Sequence, residues 1–443
     1  MNEYYLGIDF GTSYSKCLVR HENSGQVWPV WPGQEEPLKI DDLLFSSDLG
    51  VSEEGYRCLF GTALNLDSGR CLYNLKMALV SAVKEDWDSS WLRGMTQFNS
   101  SSSARAEIKR QVGALVCFYL ASLLRHTFAS IRQRQPGFKP FENSLIGVHL
   151  AIPVASAQEK KVTKAFESAL TRALQIVVTK PNAVWSNSEE FIPIYKKVKG
   201  MKKFQKVCRI VPEVNAAIDS FLRSRSARPG VYFVVDVGAG TIDMSMFTYV
   251  PTSEIPIHFW AADVRDLGSA QIELRAMDLL EREALPYLRQ LKVQGVLAAR
   301  VIQLDTYAKA ATTQIKEEVE RAAIEILNVG ITRYGGLDRN VKAMGIVHVG
   351  GGGNDDRYRK SVLDAKRKMT FEDGGLMNIP EPADIQWPFA LQQESDNCFR
   401  RFTVAYGLAV NPAEIKDHQV HVKAPPPTVA VPERVFGNEY IEN

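Results

Sequence analysis

The chain has 443 residues, of which 45% are hydrophobic, with 53 basic and 51 acidic side chains and a formal net charge of +2. That length accommodates two or more packed cores, and the apolar share is that of a soluble globular chain. A charge balance so near neutral excludes a global electrostatic signature for nucleic acid or membrane.

In chain order, the N-terminus Met1-Asn2-Glu3-Tyr4-Tyr5 lacks the basic start and apolar run of a signal peptide. Residues 4–70 read as strands and turns. The first strand ends in Leu6-Gly7-Ile8-Asp9 and turns through Phe10-Gly11-Thr12-Ser13-Tyr14-Ser15, with strand character returning at Lys16-Cys17-Leu18-Val19. A serine run, Ser100 to Ser103, precedes a helix over about 104–132, and Pro136-Gly137 closes that region. Its longest uncharged apolar stretch, Val112 to Leu124, is too short to span a bilayer and reads as a buried helix. A strand near 144–152 leads to a helix near 157–174. Residues 231–265 read again as strands and contain Val234-Val235-Asp236-Val237-Gly238-Ala239-Gly240-Thr241-Ile242-Asp243. Residues 270–328 are helix-rich, with Ile315, Val319, Ala322, Ala323 and Ile326 at helical spacing. A strand at 345–349 and a basic helix near 357–368 follow. Six cysteines, at 17, 58, 71, 117, 208 and 398, form no CxxC pair and read as reduced thiols of a cytoplasmic protein.

The two glycine-centred turns echo one another. Aligning Asp9 with Asp236 puts Gly11 on Gly238. Successive backbone N–H groups in such a turn form a concave anion site, and glycine lets the backbone approach a phosphate. Two aspartates that share a hydrated Mg²⁺ suit a metal that keeps several waters and uses few carboxylates. Competing phosphate motifs fail on mechanism. Asp243 stands where a dinucleotide fingerprint needs its third glycine, and a strand rather than a helix follows. Gly350-Gly351-Gly352-Gly353 lacks the Lys-Ser/Thr of a Walker loop.

The paired hairpins resemble those of the actin-like ATPase superfamily, which includes seventy-kilodalton heat-shock chaperones, actins and sugar kinases. Further segments resemble the heat-shock branch: Val148-His149-Leu150-Ala151-Ile152-Pro153 followed by Gln158-Glu159-Lys160; Ile210 to Ile218 as a first interdomain helix; Ile346-Val347-His348-Val349-Gly350-Gly351-Gly352 as an adenosine motif; Phe402 to Val410 as a second interdomain helix. The resemblance covers roughly residues 4–411. It implies an α/β fold of two related lobes, each with a mixed five-stranded-type sheet flanked by helices, and a nucleotide in the cleft between them. The implied division is a first lobe over 1–212, a second over 213–411 with a reduced outer subdomain, and a Pro-rich tail over 412–443.

The resemblance also implies roles. Asp9 and Asp236 contact the hydration shell of Mg²⁺. Gly11, Thr12, Ser13 and Tyr14, with Gly238, Ala239, Gly240 and Thr241, face the phosphates of ATP or ADP. Gly350, Gly351 and Gly352 pass against adenosine. Lys76, in Tyr73-Asn74-Leu75-Lys76, is the lysine near the γ-phosphate, and Glu213 orients or deprotonates water. Phosphoryl transfer needs mainly positioning and charge neutralisation, which these residue types supply. Without the resemblance, Lys76 reads as a solvated helix lysine and Glu213 as a helix-start acid favoured by the dipole. Lys309 and Lys316 are candidates for a basic clamp on adenine. Ala216-Ala217 and Ala405, Gly407, Ala409 are small residues that let the two interdomain helices cross closely.

Two departures from the heat-shock pattern shape the expected function. About thirty residues follow the last motif, too few for a peptide-binding domain, and they read as an extended tail. A segment over about 177–207 is longer than in the relatives. It carries Trp185, Phe191, Ile194 and Tyr195 and the basic run Lys196, Lys197, Lys199, Lys202 and Lys203. It is expected to project from the fold, either as a solvated insertion or as a surface for an acidic protein or nucleic acid. The function expected is a slowly hydrolysing, Mg²⁺-dependent ATP switch that signals its nucleotide state to a protein partner. Alternatives are a self-assembling, filament-forming bacterial actin-like ATPase and a small-molecule kinase of the sugar-kinase branch.

Overall fold

The computed structural model describes residues 1–33, 35–52, 54–60, 71–72, 74–87, 92, 102–153, 159–224, 227–253, 256–269, 271–272, 275, 302–353, 355–370, 372, 375–377 and 379–411. Tyr73, Gln158, most of 270–301 and the tail over 412–443 lie outside these residues. The chain is α/β, with mixed sheets flanked by helices. It divides into two compact units. One comprises 1–216, 383–398 and 404–411, and the other comprises 217–382 and 399–403, each within the described residues. The boundaries of these units fall at 216/217 and inside the last helix, where 399–403 goes with the second unit.

The main sheet of the first unit has five strands in one path, β1 (Asn2–Asp9), β2 (Tyr14–His21), β3 (Gln26–Val30), β4 (Ser144–Ile152) and β5 (Cys208–Pro212), with a sixth short strand, Phe45–Ser46, pairing β2 off that path; a small three-stranded sheet, Leu49–Ser52, Gly55–Cys58 and Cys71–Leu72, accompanies it. The order along the main path is β3-β2-β1-β4-β5. The first three are antiparallel, and β1, β4 and β5 are parallel. β1 is buried from Tyr4 onward, as expected for a strand covered on both faces. One face carries α1 (Leu75–Lys84), α2 (Ser102–Arg134) and α3 (Lys160–Thr179), packed on one another around Leu79, Leu115, Phe118, Phe166 and Leu170. Helix α2 is long and apolar enough to cross a membrane, contrary to the expectation from Val112–Leu124 alone. Most of that apolar window is buried inside this core, so its apolar surface is taken up by packing.

The segment over 177–207 is corrected by the structure. Val177 still belongs to α3, and the rest forms α4 (Ser188–Lys197) and α5 (Lys202–Gln205). Trp185, Phe191, Val198 and Phe204 are buried members of the first unit's core. Phe191 packs on Phe118 with centroids 5.4 Å apart, and the Trp185 Nε1–H donates to Ser122 Oγ at 3.2 Å. The aromatics therefore fill the surface of α2 rather than project from it, because burying a large ring contributes far more than leaving it in water.

In the second unit the order repeats. β6 (Gly230–Val237), β7 (Ile242–Tyr249), β8 (Ile257–Arg265), β9 (Gly345–Val349) and β10 (Leu376–Met377) are arranged β8-β7-β6-β9-β10. The first three are again antiparallel, and β6, β9 and β10 are parallel. Helices α7 (Ile302–Tyr334) and α8 (Asp356–Thr370) pack on each other and cover the sheet through Ile315, Val319, Ala323, Tyr358 and Val362. Two further helices have glycine-dependent contacts: α6 (Glu213–Arg223), which follows β5 directly, and α9 (Ser395–Leu408). A Cβ added to Gly407 would stand 1.9 Å from the Ala216 carbonyl oxygen, and one added to Gly7 of β1 would stand 2.0 Å from that of Ala405. The close crossing expected from the small residues is thus present at Gly407 and Ala216.

Candidate functional site

Parallel strands bring their carboxyl ends to one edge, which is where open α/β sheets place ligands. In the first unit the register pairs Asp9 with Ala151 and Ile152 with Pro212, so Asp9 and Glu213 stand at the same edge. In the second, Asp236 pairs with Val349, which brings the turn after β6 beside the glycines after β9.

The first turn is tight. The Gly11 N–H donates to the Asp9 carbonyl at 3.1 Å, and a Cβ at Gly11 would lie 2.2 Å from the Tyr14 carbonyl oxygen. The Ser13 carbonyl accepts from the Ser47 N–H at 2.9 Å. Among the described residues no backbone acceptor takes the Thr12 or Ser13 N–H. Asp9 is buried, and its Oδ2 accepts from Lys16 Nζ at 2.8 Å. Lys16 sits opposite Asp9 in the β1–β2 register, and its ammonium reaches over the turn, 3.6 Å from where a Gly11 Cβ would stand. Lys16 was not among the expected site residues. The signal was in the hairpin itself, since the residue facing Asp9 follows from counting back across the turn.

The second turn has the same place after its strand, a different backbone hydrogen bond and a different facing residue. The Gly238 N–H donates to the Thr241 carbonyl at 2.9 Å. The carbonyls of Gly238 and Gly240 accept from the N–H groups of Ser269 at 2.9 Å and Gly268 at 3.1 Å. The amides of Ala239, Gly240 and Thr241 have no backbone acceptor among the described residues. A loop around Gly268 thus holds the carbonyl side of the turn; its lack of a Cβ is required, because one would stand 2.4 Å from the Ala239 carbonyl oxygen. Opposite Asp236 the register places Asp243, also buried. The first hairpin pairs an acid with a base, and the second faces two acids.

The glycines after β9 press on this hairpin. Gly350 has φ of +84°, and a Cβ there would meet Asp236 Oδ1 at 2.1 Å. The Gly352 N–H donates to the Val237 carbonyl at 2.9 Å. Gly351 has nothing within 4 Å of its would-be Cβ, so its surface is open. The structure therefore brings Asp236, Gly238, Ala239, Gly240, Thr241, Gly350, Gly351 and Gly352 together in one unit.

Lys76 is only 2% exposed, so it is not a solvated helix lysine. Its Nζ forms an ion pair with Glu213 Oε1, the first residue of α6, across 137 positions of sequence. Asn74, in the left-handed region at φ 56°, starts α1, and its N–H donates to Asp48 Oδ1 at 3.2 Å, which fixes how α1 leaves the preceding turn. The buried pair and the Asp9–Lys16 pair belong to the same unit. Lys309 and Lys316, by contrast, lie exposed on α7. Among the described residues no group of three or more His, Cys, Asp or Glu side chains is arranged to hold a bare metal ion. A hydrated Mg²⁺ does not require one, since its inner shell is mostly water.

No protein-family model matches the chain, and no curated protein matches it.

Proposed function

We propose that the chain is a Mg²⁺-dependent, slowly hydrolysing ATP switch of the actin-like ATPase superfamily and of the heat-shock type, which reports its nucleotide state to a protein partner. The observation that carries this reading is the repeated half-site. Each unit's main sheet path has the same order and strand senses, and each has a buried aspartate at or next to the end of its first central strand, followed by a glycine turn whose amides have no backbone acceptor among the described residues. Such turns favour phosphate oxygens. On this reading the two lobes are related and share one nucleotide.

The residues present fit the implied groups. The amides of Thr12, Ser13, Ala239, Gly240 and Thr241 are donors for phosphate oxygens, and Gly11, Tyr14 and Gly238 shape their turns. Lys16 adds positive charge at the first turn. Gly351 offers bare backbone to a flat base, with Gly350 and Gly352 holding the turn against Asp236 and Val237. Asp9 and Asp236 would hold Mg²⁺ through its waters, and the ion would supply charge neutralisation on the phosphates. Lys76 holds the Glu213 carboxylate in one orientation, and Glu213 accepts the proton of an attacking water.

Binding of a fluorescent ATP analogue, with Mg²⁺ or with EDTA, and steady-state phosphate release test the reading. The wild type should bind with Mg²⁺ and lose affinity in EDTA. Asp9→Asn and Asp236→Asn should each lower turnover by roughly 100-fold, as for other lost transition-state charges. A wild type that binds no ATP at millimolar concentration, or variants with unchanged turnover, would overturn it.

A further inference from the structure

From Phe191 to Pro212 the sequence holds seven basic residues and no acidic one. The fold leaves every cation of this run exposed. Lys196 and Lys197 close α4, Lys199 lies in the link, Lys202, Lys203 and Lys206 lie on or just beyond α5, and Arg209 is on β5; all seven are exposed. The support beneath is ordered by packing. Phe191, Val198 and Phe204 are buried, the Met201 N–H donates to Gln175 Oε1 at 3.0 Å, and Gln205 Nε2 donates to Glu167 Oε1 at 2.9 Å. These bonds lay the link and α5 along α3. Among the described residues, none of the six lysines has an ion-pair partner. Complementing the α4 dipole accounts for Lys196 and Lys197. It does not account for Lys199, Lys202, Lys203 or Lys206.

We propose that this run docks the phosphate backbone of a duplex nucleic acid, without reading its sequence. Six of the seven cations are lysines, compact point charges on flexible stems. No acidic residue stands among them, so the run is complementary to a continuous line of phosphate charge. The run offers no exposed aromatic ring: Phe191 and Phe204 are buried, and Tyr195 lies under the Arg172 guanidinium at 5.0 Å. Single strands are held largely by stacking on such rings, so a regular duplex backbone is the polyanion this run suits. Backbone contacts position without specifying sequence.

The test uses the full chain and anisotropy of a labelled 24-base-pair DNA duplex, the single strand of the same sequence, and phosphatidylserine vesicles, from 50 to 200 mM KCl. The wild type should bind the duplex, with a log–log salt slope of about −4 to −5, at ~0.9 per phosphate neutralised. Replacing Lys196, Lys197, Lys199, Lys202 and Lys203 with serine should remove most of that slope. It should also cut affinity at least 100-fold at 50 mM KCl while leaving the thermal midpoint and ATP-analogue binding unchanged. If that variant fails to fold, Lys199→Glu with Lys202→Glu, both at exposed positions, should still lower duplex affinity at least tenfold. No duplex binding by the wild type, equal binding by the variants, tighter binding of the single strand, or binding to vesicles alone would each overturn the proposal.

Discussion

Lys76 and Glu213 show what a single buried pair does in this fold. Both side chains are withdrawn from water, and each is the other's counter-charge. Removing one partner leaves an uncompensated buried charge, which costs about 3–5 kcal/mol, whereas replacing both with apolar residues of similar volume is often neutral. Lys76→Met is therefore expected to lower stability by roughly that amount, and Lys76→Met with Glu213→Leu to recover most of it, as read from urea unfolding. On the proposed ATPase function, phosphate release separates the structural role from the chemical one: the double variant should regain most of the wild type's stability yet lack turnover. A double variant with full turnover would show that the pair serves folding alone. Lys76 could be nominated from the sequence only through a resemblance, because its partner is 137 positions away and nothing local marks either residue as buried. Asp9, Asp236 and their glycine turns were legible because strand, acid and turn are contiguous.

At the scale of elements, glycine marks where two backbones touch. Helix α9 meets α6 at Gly407 and lies over β1 at Gly7. Gly407→Ala forces a methyl group into the Ala216 carbonyl, a contact that cannot relax by rotating a side chain. A loss of about 3 kcal/mol or more is expected, at or above the usual range for overpacking. The same exchange at Gly113, in α2 with nothing within 4 Å of its would-be Cβ, should stabilise by roughly 0.5–1 kcal/mol through helix propensity. Denaturation midpoints of the two variants should move in opposite directions; a neutral Gly407→Ala would contradict the close crossing. Most elements were legible from periodicity, including β4, β9, α2 and α8. The segment after α3 was not. Trp185, Phe191 and Phe204 stand among lysines in the sequence, and only the groove of α2 and α3 shows that the rings turn inward while the charges turn out.

For the whole molecule, the repeated sheet order was legible only as an echo of two hairpins; the shared strand senses emerge from pairings between segments far apart. Each unit also buries a histidine in a parallel strand. Burial drives the His149 imidazole down to about 4, with Arg209 acting in the same direction and a hydrogen bond to the Leu408 carbonyl opposing it. Burial drives His348 down to about 3, with Arg359 and Arg400 acting in the same direction. A histidine that titrates near 6.5 when unfolded and lower when folded binds protons first in the unfolded chain. Stability should therefore be full above about pH 7 and fall as pH drops from about 6.5 toward the folded values, by roughly 3 kcal/mol for His149. Denaturation between pH 7.5 and 5 should show about 2 kcal/mol of this loss, the remainder following toward pH 4, and His149→Gln should flatten the slope. A slope unchanged in that variant would remove His149 as its source.

The first unit is closed by residues from late in the chain. Arg20 donates to Asp384 Oδ2 at 2.9 Å and to the Ala409 carbonyl at 2.6 Å; the Val27 N–H donates to the Asp384 carbonyl at 2.9 Å, and the Gln386 N–H to the Val27 carbonyl at 2.7 Å. Residues 384–386 thus line the outer side of β3, and α9 covers Gly7. During synthesis on the ribosome, strands made first wait for a cover made last. A nascent chain ending near residue 380 presents β3 with its outer hydrogen-bonding groups bare and β1 with one flank unroofed, the state most open to pairing with a neighbouring chain. The second unit is almost contiguous in sequence, so it can collapse while the first, though begun earlier, is still incomplete. Order of translation and order of folding are thereby reversed, and shortening the chain before 384 should harm the N-terminal unit first.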